Sequence, residues 1–471
     1  MIDDIQCNSV FEQIEHEFDV NSLTYGSIVM WPYIRRWLRL RLAFKSYRVF
    51  SDTHVKKISV SIDSKNMSEL VAKKSIDALL YAPEPIHNEI YAEKRFAPYL
   101  DSIIPLLKSI GRSYLKLSVY EKNDEDYLYP VHHLEILRTE LNEPATPITK
   151  FDEFKQYLTK FGVDDIKENY FLKCGRECES YADLFENVLT VLAPKVIFFS
   201  CYYTDIEGTG LIMAARKLGI KTVDIQHGII KKHPVYSHYS TIPDGGYCTM
   251  PSHYWTWGAI TCDYLEQTYN STADHTPFVG GNVKGMKLHY SESEVLSTDI
   301  LHEEGQDEKT VLVALQYPCL GKVVLEAMKS TGESIHWILR LHPRFSSTQN
   351  ITELEAEIKE YNISRKHITF SLPSDQQIYT DLEGSYFVVT YFSTVVYEAL
   401  MHQVIPIIVD PRGKALYEDE IESGAVLYTE DSSTLLQMIS GDSCYSPSDS
   451  KDYVNVDPAV AKKALLELFG A

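Results

Sequence analysis

The stretch WILRLHPRFSS (337–347) ends an apolar run in residues that can bind an anion. Pro343 lacks an N–H and keeps the residue before it extended, so His342 is expected to project from the end of a strand. An imidazole N–H can donate to a phosphate oxygen, and Arg340 or Arg344 can add charge-assisted hydrogen bonds. The alternative is a loop histidine beside surface arginines. This stretch predicts a phosphate-binding site.

The stretch TYFSTVVYEAL (390–400) predicts a second group of anion-binding residues. Ser393 and Thr394 follow an apolar run and are expected to begin a helix, whose first N–H groups attract anions. Plain helix capping is the alternative. Glu398, one turn further on, can reach a ribose hydroxyl or can be a solvated helix residue. Two residues beside other apolar runs join the predicted phosphate-binding set, Gln316 and Ser374.

Two carboxylates follow the apolar run in SCYYTDIEGTG (200–210). Asp205 or Glu207 can act as a general base on a hydroxyl group if a closed site raises the pKa of its carboxyl. The alternative is that one of them caps the helix that starts at this point. The sequence leaves open which of the two is the base.

The stretch DIQHGIIKKHP (224–234) places polar residues after the next apolar run. His227 can act as a base or an orienting group, or its ring can be satisfied by hydrogen bonds within the turn. Gly228 suggests a positive φ or a close backbone approach, and Gln226 precedes the histidine. We predict that this turn contacts a bound substrate.

Apolar runs that each precede a helical pattern surround these residues. Such strands are typical of a parallel sheet covered by helices on both faces. The first series contains SIDALLYA (75–82), VIFFSCYY (196–203), KTVDIQH and YWTWG, and the second contains KTVLVALQYP, IHWILRLHP, HITFSL, YFVVTYF and VIPIIVD. We therefore predict an α/β protein of two Rossmann-like, doubly wound domains, with a cleft that faces the carboxyl ends of both sheets.

Domain boundaries follow from composition. A change to Gly-rich and polar sequence predicts an N-terminal domain over 1–285 and a C-terminal domain over 286–455. Gly281 and Asn282 lie in GGNVKG, where we expect flexible backbone at the hinge. A last helix over 456–471 is predicted to cross back to the first domain.

The charge balance limits the partners of the chain. Lys and Arg total 45 against 66 Asp and Glu, so the net charge is -21, which argues against general nucleic-acid binding. The eight cysteines are scattered and there is no HExxH, so we predict reduced thiols and no metal. The N-terminus has no signal-peptide pattern, and we predict a cytoplasmic protein.

The segment 25–48 combines aromatic residues with arginine and lysine. Such a helix can lie on an anionic membrane surface, which would make the protein peripheral at the inner face of the cell membrane. The alternative is a docking helix whose aromatic residues are core and whose arginines face solvent.

The order of several segments resembles glycosyltransferases of the GT-B fold, across roughly residues 190–430. The segments are DIQHG, YWTWG, VGGNV, VLVALQYP, RLHPR and TYFSTVVYEALMHQVIPI. The resemblance is to enzymes that build bacterial capsule and lipopolysaccharide chains, among them Kdo transferases, sialyltransferases and teichoic acid polymerases. It implies that the N-terminal domain binds the acceptor and the C-terminal domain binds the donor.

The resemblance also assigns roles. In the sialyltransferase-like members, the His of a His-Pro motif and a Ser/Thr pair hold the phosphate of cytidine monophosphate, which His342 and Ser393–Thr394 match. The base of those enzymes lies in an Asp/Glu-Asp/Glu-Gly motif, which DIEG (205–208) matches except for Ile206. Together with the residues selected above from the sequence itself, the predicted set is catalytic Asp205, Glu207 and His227, donor-binding Gln316, Arg340, His342, Pro343, Arg344, Ser374, Ser393, Thr394 and Glu398, and acceptor or hinge residues Gln226, Gly228, Gly281 and Asn282.

The implied reaction is metal-independent transfer of a sugar from a nucleotide donor to a carbohydrate or glycolipid acceptor, with no cofactor. Kdo or another acid sugar carried by CMP is the expected donor. The alternatives are a hexose transferase that uses UDP or dTDP, a polymerase of the CDP-glycerol type, an epimerase or hydrolase of sugar nucleotides, and a non-catalytic scaffold of glycan assembly.

Overall fold

The computed structural model describes residues 4–44, 57–73, 75–82, 89–91, 94–120, 127–141, 146–236, 239–269, 274–286, 309–342, 345–373, 378–441 and 450–470. The chain forms two compact units. Unit 1 contains Met1–Glu292 together with Val456–Ala471, and unit 2 contains Ser293–Asn455.

A parallel sheet, seven-stranded over the described residues, forms the centre of unit 1. The strands of this unit are β1 (Thr24–Tyr25), β2 (Ile28–Val29), β3 (Lys57–Ile62), β4 (Ala78–Tyr81), β5 (Glu89–Tyr91), β6 (Lys94–Phe96), β7 (Tyr114–Ser118), β8 (His132–His133), β9 (Ile136–Leu141), β10 (Val196–Ser200), β11 (Lys221–Ile225), β12 (His253–Thr256) and β13 (Thr276–Val279). The sheet has the order β13-β12-β11-β10-β4-β7-β8. Every residue of β4 and β10 is buried, which explains their unbroken apolar sequences.

The strand order creates a switch point in the sheet of unit 1. The chain adds β7 and β8 on one side of β4, and then adds β10 to β13 on the other side. This is the doubly wound arrangement, in which ligands bind outside the carboxyl ends of the two strands at the reversal. Those strands are β4 and β10, so the residues after Tyr81 and Ser200 are the expected position for a ligand.

Helices and short antiparallel pairs complete unit 1. Its helices before unit 2 are α1 (Asp4–Glu17), α2 (Trp31–Phe44), α3 (Ser64–Lys73), α4 (Ile104–Ser109), α5 (Phe151–Leu158), α6 (Glu168–Leu192), α7 (Ile206–Lys217) and α8 (Ala259–Thr268). β3 pairs with β9, β1 with β2 and β5 with β6, all antiparallel. A close approach joins α6 to α7, because a Cβ on Gly210 would lie 2.4 Å from the Cβ of Tyr181.

Helix α2 is docked into unit 1. Trp31 is fully buried and Trp37 is 7% exposed, which agrees with the docking alternative for this segment. The expectation that its arginines face solvent is wrong for Arg35, which is 1% exposed and lies 3.3 Å from the Glu15 carboxylate. None of the helices in the described ranges is long and apolar enough to span a membrane.

Unit 2 repeats the doubly wound topology. Its strands are β14 (Lys309–Ala314), β15 (Ile335–Arg340), β16 (Ile368–Ser371), β17 (Phe387–Thr390), β18 (Ile405–Ile408) and β19 (Leu427–Tyr428). They form one parallel sheet in the order β16-β15-β14-β17-β18-β19, with its switch point between β14 and β17. The helices are α9 (Gly321–Thr331), α10 (Thr348–Glu360), α11 (Ile378–Glu383), α12 (Val395–Met401), α13 (Pro411–Leu416), α14 (Glu418–Glu422) and α15 (Ser432–Ser440).

A final helix, α16 (Pro458–Phe469), follows unit 2 in the chain but packs in unit 1. Its buried face includes Ala461 and Leu465, and its Leu468 carbonyl accepts a 2.6 Å hydrogen bond from Lys221 Nζ. The predicted fold class, two Rossmann-like doubly wound domains with a C-terminal helix that crosses back, is confirmed. The chain divides after Glu292 and after Asn455, where the sequence predicted boundaries at 285 and 455.

Candidate functional site

A strained turn follows β10 at the switch point of unit 1. Cys201 has a φ of +65°, a conformation that costs energy for a residue with a side chain. Asp224 on β11 holds this turn, because its Oδ1 accepts a 3.0 Å hydrogen bond from the Tyr202 N–H. Its Oδ2 accepts a 2.8 Å hydrogen bond from the Tyr236 hydroxyl. A buried carboxyl on the neighbouring strand therefore fixes the backbone that leads to Asp205.

Asp205 is the N-cap of α7, which agrees with the capping alternative for one of the two carboxylates. Its carboxylate accepts hydrogen bonds from the Gly208 N–H and, at 3.1 Å, from the hydroxyl of Tyr81. Tyr81 is the last residue of β4, so this contact joins the two strands of the switch point. Burial raises the pKa of the Asp205 carboxyl to about 6, although the Gly208 N–H opposes that rise. Such a group can exchange a proton near neutral pH.

Gly208 allows this close arrangement. A Cβ at this position would lie 2.7 Å from Asp205 Oδ1 and 3.0 Å from Tyr81 Cε1. Sterics therefore explain the glycine in DIEG: the Asp205 carboxylate and the Tyr81 ring lie too close to Gly208 to leave room for a side chain. The sequence suggested the motif by resemblance but did not indicate this contact.

We predict that Gly208→Ala lowers the free energy of unfolding by about 1–2 kcal/mol. Overpacking costs about 1–3 kcal/mol, and the higher helix propensity of Ala returns at most about 1 kcal/mol. Urea unfolding measures the change. Gly384→Ala is the control, because a Cβ on Gly384 would have nothing within 4 Å. Equal stability of Gly208→Ala and the wild type would show that Asp205 is free to move away.

Glu207, the other candidate base, is held by two partners. Its Oε1 accepts hydrogen bonds of 2.7 Å from Arg138 and 3.1 Å from the Tyr181 hydroxyl. Arg138 belongs to β9, so the β3–β9 ribbon contributes a cation to this edge of unit 1. Burial disfavours the charged form of Asp205. The catalytic roles of Asp205 and Glu207 both stay predictions.

His227 follows β11 and lies among aromatic rings. Its ring centroid is 6.2 Å from that of Tyr203 and 6.4 Å from that of Tyr99. Gln226 is 1% exposed and holds the turn, since its Oε1 accepts from the Trp257 N–H at 2.7 Å. Gln226 therefore positions the turn. Gly228 does not have a positive φ, and the other expectation for it, a close backbone approach, stays a prediction.

The segment predicted as a flexible hinge is packed inside unit 1. Asn282 is 1% exposed, and its Oδ1 accepts a 3.2 Å hydrogen bond from the Gly285 N–H. The Gly281 carbonyl accepts a 2.7 Å hydrogen bond from Trp255 Nε1. This backbone is buried and hydrogen-bonded to a core tryptophan, so the flexible segment that we expected is not found. The glycines are present because the backbone passes close to the tryptophan ring.

Strand register aligns the predicted phosphate-binding residues of unit 2. Ala314 of β14 pairs with Arg340 of β15 on one side and with Thr390 of β17 on the other. Two residues beyond each member of this triplet come Gln316, His342 and Phe392. The predicted residues Gln316 and His342 therefore leave the sheet at the same level of its carboxyl edge as Phe392, which directly precedes the predicted Ser393.

Gln316 joins the two strands at the switch point of unit 2. Its Nε2 donates a 3.0 Å hydrogen bond to Thr390 Oγ1, and its Oε1 accepts from the Tyr391 N–H at 3.3 Å. Ser393 follows, and its Oγ accepts a 3.3 Å hydrogen bond from the N–H of Val395. Gln316 and Ser393 thus lie at the position where a doubly wound sheet binds its ligand.

The helix after β17 differs from the expectation. It begins at Val395, and its N-cap is Thr394, which makes no side-chain capping hydrogen bond. Ser393 therefore precedes the cap. The first N–H groups of the helix are bonded locally, that of Val395 to Ser393 Oγ and that of Val396 to the Ser393 carbonyl at 3.3 Å. Glu398 lies in the first turn of α12 and is partly exposed.

Arg340 has a partner that the sequence did not reveal. Its Nη1 donates 2.7 Å to Asp381 Oδ2 and 2.9 Å to Ser371 Oγ, and the residue is 9% exposed. This nitrogen forms an internal ion pair with Asp381. The carboxylate balances the positive charge of Arg340 that we expected to bind a phosphate. A role for Arg340 in donor binding stays a prediction.

His342 belongs to an aromatic cluster at the edge of unit 2. Its ring centroid lies 6.0 Å from that of Phe345, and the Tyr317 ring lies 6.1 Å from Phe345 and 6.2 Å from Phe392. Arg412, after β18, places its guanidinium 4.3 Å from the Phe392 ring centroid. Tyr317 is 47% exposed. Phe345, Phe392 and Arg412 could not be selected from the sequence, because single aromatic or basic residues after strands carry no distinctive pattern.

Three predicted residues, Pro343, Arg344 and Ser374, lie outside the described residues. Within the described ranges, no group of three or more His, Cys, Asp or Glu side chains is arranged to hold a metal ion.

No family model matches the chain, and no curated protein matches it. Among solved structures, UDP-GlcNAc 2-epimerase from Methanocaldococcus jannaschii is 12% identical, with a TM-score of 0.49 and coverage of 84% of this chain and 100% of that one. The UDP-GlcNAc 2-epimerase from Neisseria meningitidis is 11% identical, with a TM-score of 0.49 and coverage of 83% and 99%. The HepE protein of Anabaena, solved with UDP and glucose, is 11% identical, with a TM-score of 0.43 and coverage of 84% and 100%. At such identities, the activities of these proteins do not carry over to this chain.

Proposed function

We propose that the chain is an enzyme of nucleotide-activated sugars, in which unit 2 binds the nucleotide and Asp205 in unit 1 exchanges a proton with the substrate. The observation that carries the proposal is the register of unit 2. It places Gln316 and Phe392 after the two strands of the switch point, where doubly wound sheets bind nucleotides, and His342 at the same level after the adjacent strand β15.

The aromatic cluster supports nucleotide binding as well as phosphate binding. Base stacking on an aromatic ring contributes about 1–3 kcal/mol, and Tyr317 offers an exposed ring. In this proposal the nucleobase packs against the rings of Tyr317 and Phe345, and the phosphate accepts hydrogen bonds from His342 and Ser393. The nucleotide and the sugar that the sequence predicts, CMP and Kdo, have no specific contact that supports them here.

The reaction that we favour is transfer to an acceptor hydroxyl. The bond between the anomeric carbon and the phosphate oxygen breaks, and its electron pair leaves with the nucleotide. The acceptor oxygen forms the new bond to carbon, and its proton passes to the Asp205 carboxylate. A pKa of about 6 leaves that carboxylate mostly ionised at neutral pH but basic enough to accept the proton.

A second candidate is conversion of the nucleotide sugar without an acceptor, by an epimerase or a hydrolase. It is favoured by the pair of carboxyls, since acid–base conversion needs both a proton donor and a proton acceptor, and the charge of Glu207 contributes to the raised pKa of Asp205. Several of the compared structures are named as UDP-GlcNAc 2-epimerases. Incubation with the nucleotide sugar alone separates the two: only this second candidate consumes it.

Nucleotide binding is tested by thermal shift with CMP, CDP, UDP, GDP and dTDP. We expect one nucleotide to raise the Tm, and His342→Ala to weaken its binding by about 10- to 100-fold, because a hydrogen bond to a charged group contributes about 1.5–3 kcal/mol. His336→Ala is the matched control, since His336 lies on β15, the strand that leads to His342, and its Nε2 lies 3.0 Å from Thr369 Oγ1. Wild-type affinity in His342→Ala would contradict the proposed site.

A further inference from the structure

The last residue of β4 holds the carboxyl of Asp205 in one orientation. Tyr81 is 1% exposed, and its hydroxyl donates a 3.1 Å hydrogen bond to Asp205 Oδ1. The N–H of Gly208 donates to the same oxygen. We propose that Tyr81 is a positioning residue of the reaction, which fixes Oδ1 and leaves Oδ2 as the atom that exchanges a proton with the substrate. This inference rests on the proposed function and applies to both candidate reactions.

The two oxygens of the Asp205 carboxyl have different surroundings. Both hydrogen bonds that the described residues form with this carboxyl end on Oδ1. Each oxygen of a carboxylate has about two acceptor sites, so two donors occupy Oδ1 and the sites of Oδ2 remain for a substrate hydroxyl. Asp205 is partly exposed, whereas its two donors are buried. The carboxylate is therefore held from the protein side and open on the other.

Packing fixes the ring that carries the hydroxyl. Its centroid lies 5.6 Å from that of Phe199 on the neighbouring strand β10. The backbone of α7 also comes close to it, since a Cβ on Gly208 would lie 3.0 Å from Tyr81 Cε1. β4 pairs with β10 on one side and with β7 on the other, so Tyr81 belongs to the middle of the sheet. A side chain locked on a rigid element holds a reacting group more precisely than one on a loop.

The same hydrogen bond affects the basicity of the carboxyl. Burial raises the pKa of Asp205 to about 6, and the hydrogen bonds from the Gly208 N–H and the Tyr81 hydroxyl limit that rise. They do so because a donor stabilises the charged form of a carboxyl. Burial raises the pKa of the Tyr81 hydroxyl well above its ordinary value. Tyr81 therefore keeps its proton and remains a donor throughout the range in which Asp205 titrates.

Several other titratable and charged groups of unit 1 act on this carboxyl. Besides burial, the negative charge of Glu207 raises the pKa of Asp205, and the positive charge of Arg36 lowers it. The thiol of Cys201 stays neutral, because burial raises its pKa to about 12. The full set is Glu207 on α7, Arg36 on α2, Cys201 in the turn after β10 and Tyr81 on β4, with Tyr120 after β7 near Tyr81, and Arg138 on β9 and Tyr181 on α6 bonded to Glu207. Tyr81→Phe leaves all the others in place.

Tyr81→Phe is the deciding variant, because it removes the hydroxyl and keeps the ring. NMR of protein labelled with ¹³C at the aspartate carboxyls follows the titration of Asp205, whose signal is assigned by its loss in Asp205→Asn. We expect the titration midpoint and the acid limb of kcat/KM to move up together by about one pH unit, as the loss of a hydrogen bond to a charged group predicts. We also expect kcat above that limb to fall about tenfold, because the carboxylate is less well oriented. The thermal shift by the nucleotide should not change.

Tyr157→Phe is the matched control, since the Tyr157 hydroxyl donates a 3.2 Å hydrogen bond to a different carboxylate, Glu17 Oε2. This variant should keep the titration of Asp205 and the rates of the wild type. An unchanged Asp205 titration in Tyr81→Phe would overturn the inference alone, as would a shifted titration with an unchanged acid limb and kcat. Normal turnover in Asp205→Asn would refute the proposed function, and this inference with it.

Discussion

Asp205→Asn is expected to lower turnover by about 10²- to 10⁴-fold, the range attributed to a single general base. Asn caps a helix about as well as Asp, so α7 should keep its start and nucleotide binding should be unchanged. The amide cannot accept the substrate proton, so the substitution impairs proton transfer and leaves nucleotide binding intact. The rate of product formation from the nucleotide sugar, compared with the thermal shift by the nucleotide, measures the two effects separately.

The pH profile of the wild type tests the same carboxyl. Because burial raises the pKa of Asp205 to about 6, the base is protonated and inactive below that pH and ionised above it. We therefore expect kcat/KM to rise about tenfold per pH unit below 6 and to level off above it. Asp431→Asn, at the N-cap of α15, is the matched control and should keep full activity. Normal turnover in Asp205→Asn would remove Asp205 from the reaction and leave Glu207 or His227 as the base.

Asp224→Asn is expected to stabilise the protein above pH 7 by about 2–4 kcal/mol. Burial raises the pKa of the Asp224 carboxyl from 3.8 to about 7, so folding opposes its ionisation. The unfolded chain releases this proton more easily than the folded protein does. The free energy of unfolding therefore falls as the pH rises from about 4 to about 7. Below pH 4 this cost is absent, and above pH 7 it is complete. An asparagine is neutral throughout.

The side chain of Asn fits the same contacts. Its oxygen can accept from the Tyr202 N–H, and its amide can donate to the Tyr236 hydroxyl. Urea unfolding of both proteins between pH 4 and pH 9 gives the difference in stability, which should grow with pH. The exposed Asp244→Asn should show no such trend. A difference that is constant with pH would contradict a buried, neutral carboxyl at this position.

The fold could be predicted from the sequence because a doubly wound sheet leaves a simple pattern. Runs such as VIFFS in β10 and FVVT in β17 are buried on both faces and are therefore apolar throughout. The β3–β9 ribbon was missed, since its strands, KISVSI and ILRTEL, are partly exposed and mix polar and apolar residues. The ends of strands were also predictable, which is why the candidate residues fall at the two carboxyl edges.

The partners of those residues could not be predicted. The contact of Asp205 with Tyr81 joins residues 124 positions apart, and that of Arg340 with Asp381 joins residues 41 apart. Only the strand order determines which distant side chains meet, and a single sequence does not encode that order in any local pattern. For the same reason the sequence did not indicate that Thr249 and Arg36 line the same pocket.

Helix α16 has a consequence for how the protein is made. Because it packs in unit 1 but follows unit 2, the ribosome must synthesise all of unit 2 before unit 1 can cover the surface beside α4 and β13. Until then Ala461, Leu465 and their neighbours are missing from a hydrophobic cluster that includes Leu107 and Trp255. Nascent unit 1 thus exposes apolar surface for the time needed to translate an entire further unit, a period in which chaperones can bind it.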